Sequence, residues 1–407
     1  MTTEPWLTVI GIGEDGMDGL SAEARGLVEN AEIIIGGDRH HKLSSNVKAE
    51  RVAWPSPFDA MIDKMKSYRG RRIVILVTGD PLWYSVGARI TKAIPPGEIR
   101  FFPQLSAFQW ASCRMGWSIP DIETLTVHGR ADSQILPFLA PDVRMILLTQ
   151  NATTPPTIAS LLTARGFGQS RITALAALGG PHEQRFDGIA ESWNIEVPDF
   201  HVLAVECIAG PDAVFHPRGG GLSDEAFAHD GQLTKQDVRA ATLAKLCPFA
   251  DALLWDVGAG CGSVGIEWMR AARGARAIAI EPNESRREMI ADNARNLGTE
   301  KVEIVAGEAP GALAGLASPD AIFIGGGLTH EGVFDACWQT LREGGRLVAN
   351  AVTLESEARL AELHDRLGGE LVRISVQKAE TIGDYRGWRA AMPVTQWCVV
   401  KRGEAFR

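Results

Sequence analysis

The second half of the chain is written in two alternating rhythms of apolar and polar positions. Over 234–247, "TKQDVRAATLAKLC" spaces its apolar residues three and four apart and predicts an amphipathic helix. "ALLWDVGAG" follows as a short apolar run ending in glycine, a buried strand, and "SVGIEWMRAAR" returns to helical spacing. The alternation continues through strand "ARAIAIEPN" and helix "ESRREMIADNARNLG", with Gly298 in the C-capping place. "KVEIVAGEAP", "DAIFIGGG" and "GGRLVANAV" are further strands with helices between them. Strands that alternate with helices imply a parallel, doubly wound sheet whose ligand sits at the carboxyl ends of the strands. The tail, "LVRISVQKAE" to "TQWCVVKR", predicts two final strands with a long connection, a hairpin on the sheet edge.

The first half is also α/β but follows a different plan. "WLTVIGIG", "AEIIIGG", "RRIVILVTGDPLWYSVG" and "EIRFFPQ" predict four strands, three of them ending in glycine turns. "LSAFQWASCRMGW" predicts a helix that starts near Ser106, a good N-cap. "VRMILLTQN", "TPPTIASLLTARG", "SRITALAALG" and "HVLAVECIAG" carry the alternation onward. The halves show no close repetition, so two distinct α/β domains are expected. Between them, "GPDAVFHPRGGGLSDEAFAHDGQLTKQD" has a Pro-Arg-Gly-Gly-Gly break and no apolar period before Val238. It divides the chain into a domain at 1–211, a linker at 212–224 and a domain at 225–407.

Composition narrows the function classes. The 407 residues carry 41 basic and 50 acidic side chains, a formal charge of −9, with no basic run, so no nucleic-acid partner is expected. No apolar segment approaches the ~20 residues of a membrane span, and "MTTEPWLTVIGIG" lacks a basic start and a long apolar stretch. The six cysteines are scattered without a CxxC pair, which fits a reduced cytoplasm and argues against a cysteine-based zinc site. His40 and His41 adjoin, but adjacent side chains rarely converge on one metal. A solvated loop is expected there, and no metal.

The chemistry concentrates in "LLWDVGAGCGSVGIEW", a strand that runs into four glycines and a helix. Gly260, Gly262 and Gly265 spell the GxGxxG of dinucleotide sites, while Gly258, Gly260 and Gly262 spell the GxGxG of many S-adenosylmethionine methyltransferases. A dinucleotide lays its pyrophosphate on the helix N-terminus. Asp256 just before the turn, and Glu308 at a neighbouring strand end, would repel it. A sulfonium and an ammonium suit that acidic rim. Glu281 ends the next strand, where a carboxylate can hold both ribose hydroxyls under either reading. "AGEAP" at 306–310 resembles the strand end that flanks adenine in methyltransferases, so the donor reading is favoured.

Residues 224–407, with "HDGQLTKQDVRA", "DVGAGCGSVGIEW", "GEAP", "IFIGGG" and "GGRLVANAVTLE", resemble the precorrin-6B decarboxylating methyltransferases of cobalamin biosynthesis. Residues 6–210, with "VIGIGEDGMDGL", "VTGDPLWYSVG", "PQLSAFQWASCRMGW" and "VHGR", resemble the tetrapyrrole methylases. The paired resemblance implies a two-lobed tetrapyrrole methylase fold followed by a Rossmann-like S-adenosylmethionine methyltransferase fold. It implies methylation of bridging carbons 5 and 15 of a precorrin, with loss of an acetate carboxyl. One departure stands out: Gly13, Glu14, Asp15 and Gly16 occupy the place of the Gly-Pro-Gly-Asp turn of many tetrapyrrole methylases, and no role is assigned to Asp15.

Residue by residue, the second-domain donor site is expected at Thr234, Gly258, Ala259, Gly260, Cys261, Gly262, Glu281, Glu308 and Ala309. Thr234 also reads as a helix N-cap in "TKQD". In the first domain the donor loops are expected at Thr78, Gly79, Asp80 and Pro81, and at Gln104 to Ala107, which includes Ser106. Gly-Asp-Pro is good turn chemistry in its own right. His128 and Arg130 are candidates for the carboxylates of the acid-rich macrocycle. No catalytic acid or base stands out. The alternatives are an NAD-dependent oxidoreductase built on Gly260, Gly262 and Gly265, and a non-catalytic tetrapyrrole carrier. A cytoplasmic homo-oligomer is expected.

Overall fold

A computed structural model describes residues 5–55 and 59–402. The chain divides into two compact units: residues through Asp132 with Ala140–Val214, and Ser133–Leu139 with Phe215 onward.

The first unit contains two five-stranded sheets. One holds β1 (Leu7–Ile12), β2 (Ile33–Ile35), β3 (Glu50–Val52), β4 (Ile73–Thr78) and β5 (Ile99–Phe102) in the order β3-β2-β4-β1-β5. All its pairings are parallel. Both faces are covered: Leu7, Val9, Ile73 and Ile75 enter one apolar cluster, while Ile10, Ile12, Val74 and Leu76 enter another. Burial on both sides explains why these strands read as unbroken apolar runs. β3, "ERV", was not expected, because its exposed first residue breaks that pattern.

The other sheet holds β6 (Glu123–Thr126), β7 (Arg144–Leu148), β8 (Arg171–Ala176), β9 (Gln184–Ile189) and β10 (His201–Glu206), ordered β6-β7-β10-β8-β9. Only β6 and β7 run parallel; the other pairings are antiparallel. β6 and β9 also escaped the sequence reading. β9 is an edge strand with mostly exposed positions, so it has no apolar rhythm to detect. The helix Ala107–Met115 begins at Ser106 as expected, with Gln109 Oε1 accepting the Ser106 N–H at 2.7 Å and Gly116 closing the other end. The His40–His41 pair departs from the expected loop. It lies on the helix Asp38–Leu43, with His40 Nδ1 accepting the Gly37 N–H at 3.1 Å.

The second unit is built on seven strands ordered β13-β12-β11-β14-β15-β19-β16. These are β11 (Leu253–Val257), β12 (Arg276–Glu281), β13 (Glu303–Ala306), β14 (Ala321–Ile324), β15 (Arg346–Ala351), β16 (Glu370–Ile374) and β19 (Val394–Val400). β11 to β15 pair in parallel. β19 lies antiparallel between β15 and β16. Among the described residues the tail therefore holds four strands, not two: its connection is itself a hairpin of β17 (Gln377–Ile382) and β18 (Tyr385–Ala390). β17 is exposed throughout, which removed the alternation that would have announced it.

The helix at the start of this unit spans Gln236–Leu246 with Lys235 at its N-cap and no side-chain cap bond, so Thr234 is not the N-cap. The glycine-rich stretch before it is docked. Gly221 and Leu222 N–H groups donate to Glu267, at 2.5 and 3.0 Å. Leu222 and Phe227 are buried with Cys261, Ile266, Ala294 and Leu297.

Candidate functional site

In the second unit β11 ends at Val257, and the glycine turn leads from it into the helix Ser263–Ala271. Gly258 and Ala259 N–H groups donate to Ile280 O at 3.0 and 3.1 Å, which folds the turn back over β12. Gly258 has φ +70°, and a Cβ there would meet Gly326 N at 3.0 Å. Bare backbone is therefore required on this wall. Gly265 serves a different purpose. A Cβ on it would press on Asp256 Oδ2 at 3.2 Å and Ala277 at 3.4 Å, so it lets the helix lie close to the sheet.

These turns open onto a cavity of about 770 Å³. Thr234, Gly258, Ala259, Gly260, Glu281, Glu308 and Ala309 all line it. Gly262 and Cys261 do not: Gly262 is the left-handed N-cap of the following helix, and Cys261 is buried in the apolar cluster beneath. Glu281 is nearly fully buried, and its carboxylate accepts the Gly260 N–H at 2.8 Å and the Asn283 N–H at 3.0 Å. Each oxygen keeps acceptor capacity for a ligand hydroxyl.

Asp256, expected on the acidic rim, does not line the cavity. Asp256 is 1% exposed and faces the strand–helix contact, where Oδ2 accepts the Gly265 N–H at 2.9 Å. Burial pushes its carboxyl up to about 7, against the pull of the Gly265 bond, and neighbouring Glu281 adds to the rise. Glu281 and Glu308 line the cavity, together with Asp224 and Asp237, and carry its acidity instead. The cavity is also lined by groups that carry no signal in the sequence: Lys235, Arg286, His330, Lys378 and Met392. Lys378 lies on the exposed β17 and Met392 between β18 and β19, where no apolar alternation marks a site. Arg286 is ion-paired to Asp230 at 2.9 Å.

In the first unit a cavity of about 250 Å³ is lined by His40, Thr78, Trp83, Tyr84, Ser106, Ala107, Phe108 and neighbours. Ser106 and Ala107 fall where the donor loop was expected. Gly79, Asp80 and Pro81 do not line it. Gly79 (φ +59°) permits the close approach of the Ser106 backbone, which a Cβ would meet at 2.8 Å. Asp80 Oδ1 accepts the Leu82 N–H at 2.7 Å, the turn-forming role. His128 and Arg130 do not line the cavity; His128 Nδ1 lies 3.2 Å from Thr149 O, and Arg130 lies over the Tyr84 ring at 5.6 Å. Tyr84, missed from sequence, adopts φ +51° and is held by its hydroxyl donating to Thr124 O at 3.0 Å.

Residues 225–401 match the precorrin methyltransferase domain, and residues 7–192 match the tetrapyrrole (corrin/porphyrin) methylases. A Sinorhizobium protein named precorrin-6Y C(5,15)-methyltransferase [decarboxylating] is 45% identical over 399 residues, 98% of this chain and 97% of its own length. The chain belongs to this family. A Mycobacterium tuberculosis protein of the same name is 40% identical over 401 residues, 97% of this chain and 100% of its own. The crystal structure of the C-terminal domain of precorrin-6Y C5,15-methyltransferase from Rhodobacter capsulatus shares 49% identity, covering 45% of this chain and 98% of that one, with a TM-score of 0.43. As a member of the precorrin-6Y C(5,15)-methyltransferase family, the protein is a methyltransferase of cobalamin biosynthesis with two α/β folds. The oxidoreductase and passive-carrier readings are set aside by that membership.

Proposed function

We propose that the protein transfers methyl groups from S-adenosylmethionine to carbons 5 and 15 of a precorrin and removes one acetate carboxyl. The second unit acts at carbon 15 with decarboxylation, and the first acts at carbon 5. The observation that carries the donor assignment is the second unit's cavity. Its size suits a whole cofactor, its floor is bare glycine backbone, and Glu281 and Glu308 stand in its wall. Two carboxylates there oppose a pyrophosphate and favour a cationic ligand.

Bound in that cavity, S-adenosylmethionine supplies an electrophilic methyl on a good leaving group. The chain's task is then positioning. Glu281 holds the ribose hydroxyls, Gly258 and Gly260 let the ligand lie on the backbone, and Glu308 and Ala309 flank the base. Lys235, His330 and Lys378 face the acidic side chains of the macrocycle. The tetrapyrrole ring is its own electron sink for carbon dioxide loss, so the protein orients the acetate and keeps water out. In the first unit the donor site is formed around Thr78, Ser106 and Ala107, with Gly79 letting the Ser106 backbone approach.

The six cysteines, all unpaired, support a reduced cytoplasmic setting. No helix among the described residues is long and apolar enough to cross a membrane. The exposed β17–β18 hairpin, with Tyr385 80% and Trp388 72% accessible, supports association between copies. Mass spectrometry of products tests the division of labour in the full chain. Glu281→Ala is expected to suppress carboxyl loss while a methyl is still added, and Gly79→Val to do the reverse. Carboxyl loss that follows Gly79 and not Glu281 would reverse the assignment.

A further inference from the structure

Thr78 is the last residue of β4, and its side chain stands at the first unit's cavity with two neighbours already bonded to its hydroxyl. Arg39 Nη2 donates to Thr78 Oγ1. His40 Nε2 lies 3.1 Å from the same oxygen. Which of the two, His40 or Thr78, is the donor follows from the other ring nitrogen. His40 Nδ1 accepts the Gly37 N–H, so in the neutral ring the proton is on Nε2 and points at Thr78. Burial, with help from the Arg39 and His41 charges, holds the His40 pKa down at about 4, so the ring is neutral at physiological pH.

Arg39 cannot turn away readily. Its guanidinium pairs with Glu14 and lies over the Phe200 ring at 4.2 Å. Glu14 occupies the turn where many tetrapyrrole methylases have Gly-Pro-Gly-Asp, so this sequence's departure at that turn supplies the anchor. A hydroxyl offers two acceptor lone pairs and one proton. With both lone pairs of Thr78 taken, only the proton remains for a ligand.

We infer that Thr78 is a donor-only contact to the ligand of the first unit, with Arg39 and His40 as positioning residues that enforce this polarity. The ligand atom that meets Thr78 is a hydrogen-bond acceptor, an oxygen of a carboxylate or carbonyl. Two ligands carry such atoms: the methyl donor, through its amino-acid carboxylate, and the tetrapyrrole, through its acid side chains. At about 250 Å³ the cavity holds part of a ligand, not a whole macrocycle. The inference rests on the first unit's being a methyl-transfer site.

Full-length Thr78→Val and Thr78→Ser are compared with the parent, using calorimetric titration with S-adenosylhomocysteine and steady-state kinetics with precorrin-6Y. The methyl gain that is not coupled to carboxyl loss reports the first unit. Loss of one charge-assisted bond predicts a ~10- to 100-fold defect in Thr78→Val, largely restored in Thr78→Ser. A defect in S-adenosylhomocysteine affinity places the acceptor on the methyl donor. Unchanged affinity with a raised KM for precorrin-6Y places it on the tetrapyrrole. Parent-like values for both in Thr78→Val overturn the contact.

His40→Gln and His40→Asn separate polarity from helix capping. Gln replaces the Nε2 donor but not the cap, and Asn replaces the cap but not the donor. The inference expects Gln to retain activity within about threefold and Asn to match Thr78→Val. The opposite ranking would make His40 a cap alone and overturn its positioning role. If the parent adds no uncoupled methyl, the reading of the first unit fails, while the titration still decides whether Thr78 touches the donor.

Discussion

Replacing Glu267 with alanine should damage the second unit twice, first in stability and then in ligand affinity. Its carboxylate is 1% exposed and accepts three bonds, from Arg239 Nε at 2.6 Å, Gly221 N at 2.5 Å and Leu222 N at 3.0 Å. Arg239 is fully buried and also donates to Asp224 at 3.0 Å, to Leu222 O and to Thr234 O. Without Glu267 the guanidinium keeps Asp224, whose side chain is 23% exposed, as its charged partner. Breaking such a buried pair costs about 3–5 kcal/mol. In a unit of this size that lowers its melting temperature by roughly 6–20 °C. Calorimetry of the full chain reads this as a shift of one unit's transition while the other stays in place. Because Arg239 also fixes Thr234 on the cavity wall, S-adenosylhomocysteine should bind the variant more weakly even well below its melting temperature. Adding Arg239→Met to Glu267→Ala should recover part of the loss, since it removes the orphaned charge. A single variant that melts within a degree of the parent, or a double variant less stable than the single, would refute this account.

Asp256→Asn should change how stability depends on pH. A carboxyl raised to about 7 keeps a proton that the unfolded chain releases near ~3.9. The folded state therefore loses stability as pH climbs from about 4 to 7, and the Asn variant should lack that fall, gaining roughly 1–4 kcal/mol over the parent near neutrality. Denaturant titrations across this window check it, and parallel curves for the two proteins would count against it. Glu281→Ala should weaken S-adenosylhomocysteine at the second unit by ~1–3 kcal/mol, with the first unit's affinity intact in the same titration. Tyr385→Ser with Trp388→Ser should shift the light-scattering mass toward a single chain, and an unchanged mass would mean the hairpin does not join copies.

The parts legible in the sequence share a physical cause: a local rule and a tertiary environment that agree. β11 reads as a strand because both its faces are buried, and the helix Glu284–Leu297 carries Asn283 at one end and left-handed Gly298 at the other. Of the second unit's expected donor residues, those on the exposed rim of the glycine turn line the cavity, while Cys261 faces inward to Ile266 and Leu297. A one-dimensional motif does not say which way a side chain turns. Asp256 was misread for the same reason. The stretch 212–224 looked like free chain because Leu222 is bound through its backbone to Glu267, a bond with no periodic signature. His40 was unreadable because its role depends on Thr78, 38 positions away.

The place of β19 between β15 and β16 has a consequence for synthesis. A ribosome releases Val394–Val400 after every other strand of the second unit's sheet, yet this strand is an interior one. Until it emerges, β15 presents an open edge and β16 has no partner, although Trp397 will become one of the most deeply buried side chains in the molecule. The growing chain thus carries an unsatisfied edge for as long as translation of the tail lasts, the condition under which nascent chains pair wrongly or recruit chaperones. Premature termination anywhere before residue 394 would leave that gap permanent. A frameshift just after Met392 would then strike the unit through its folding, although the cavity-lining residues before that point were spared.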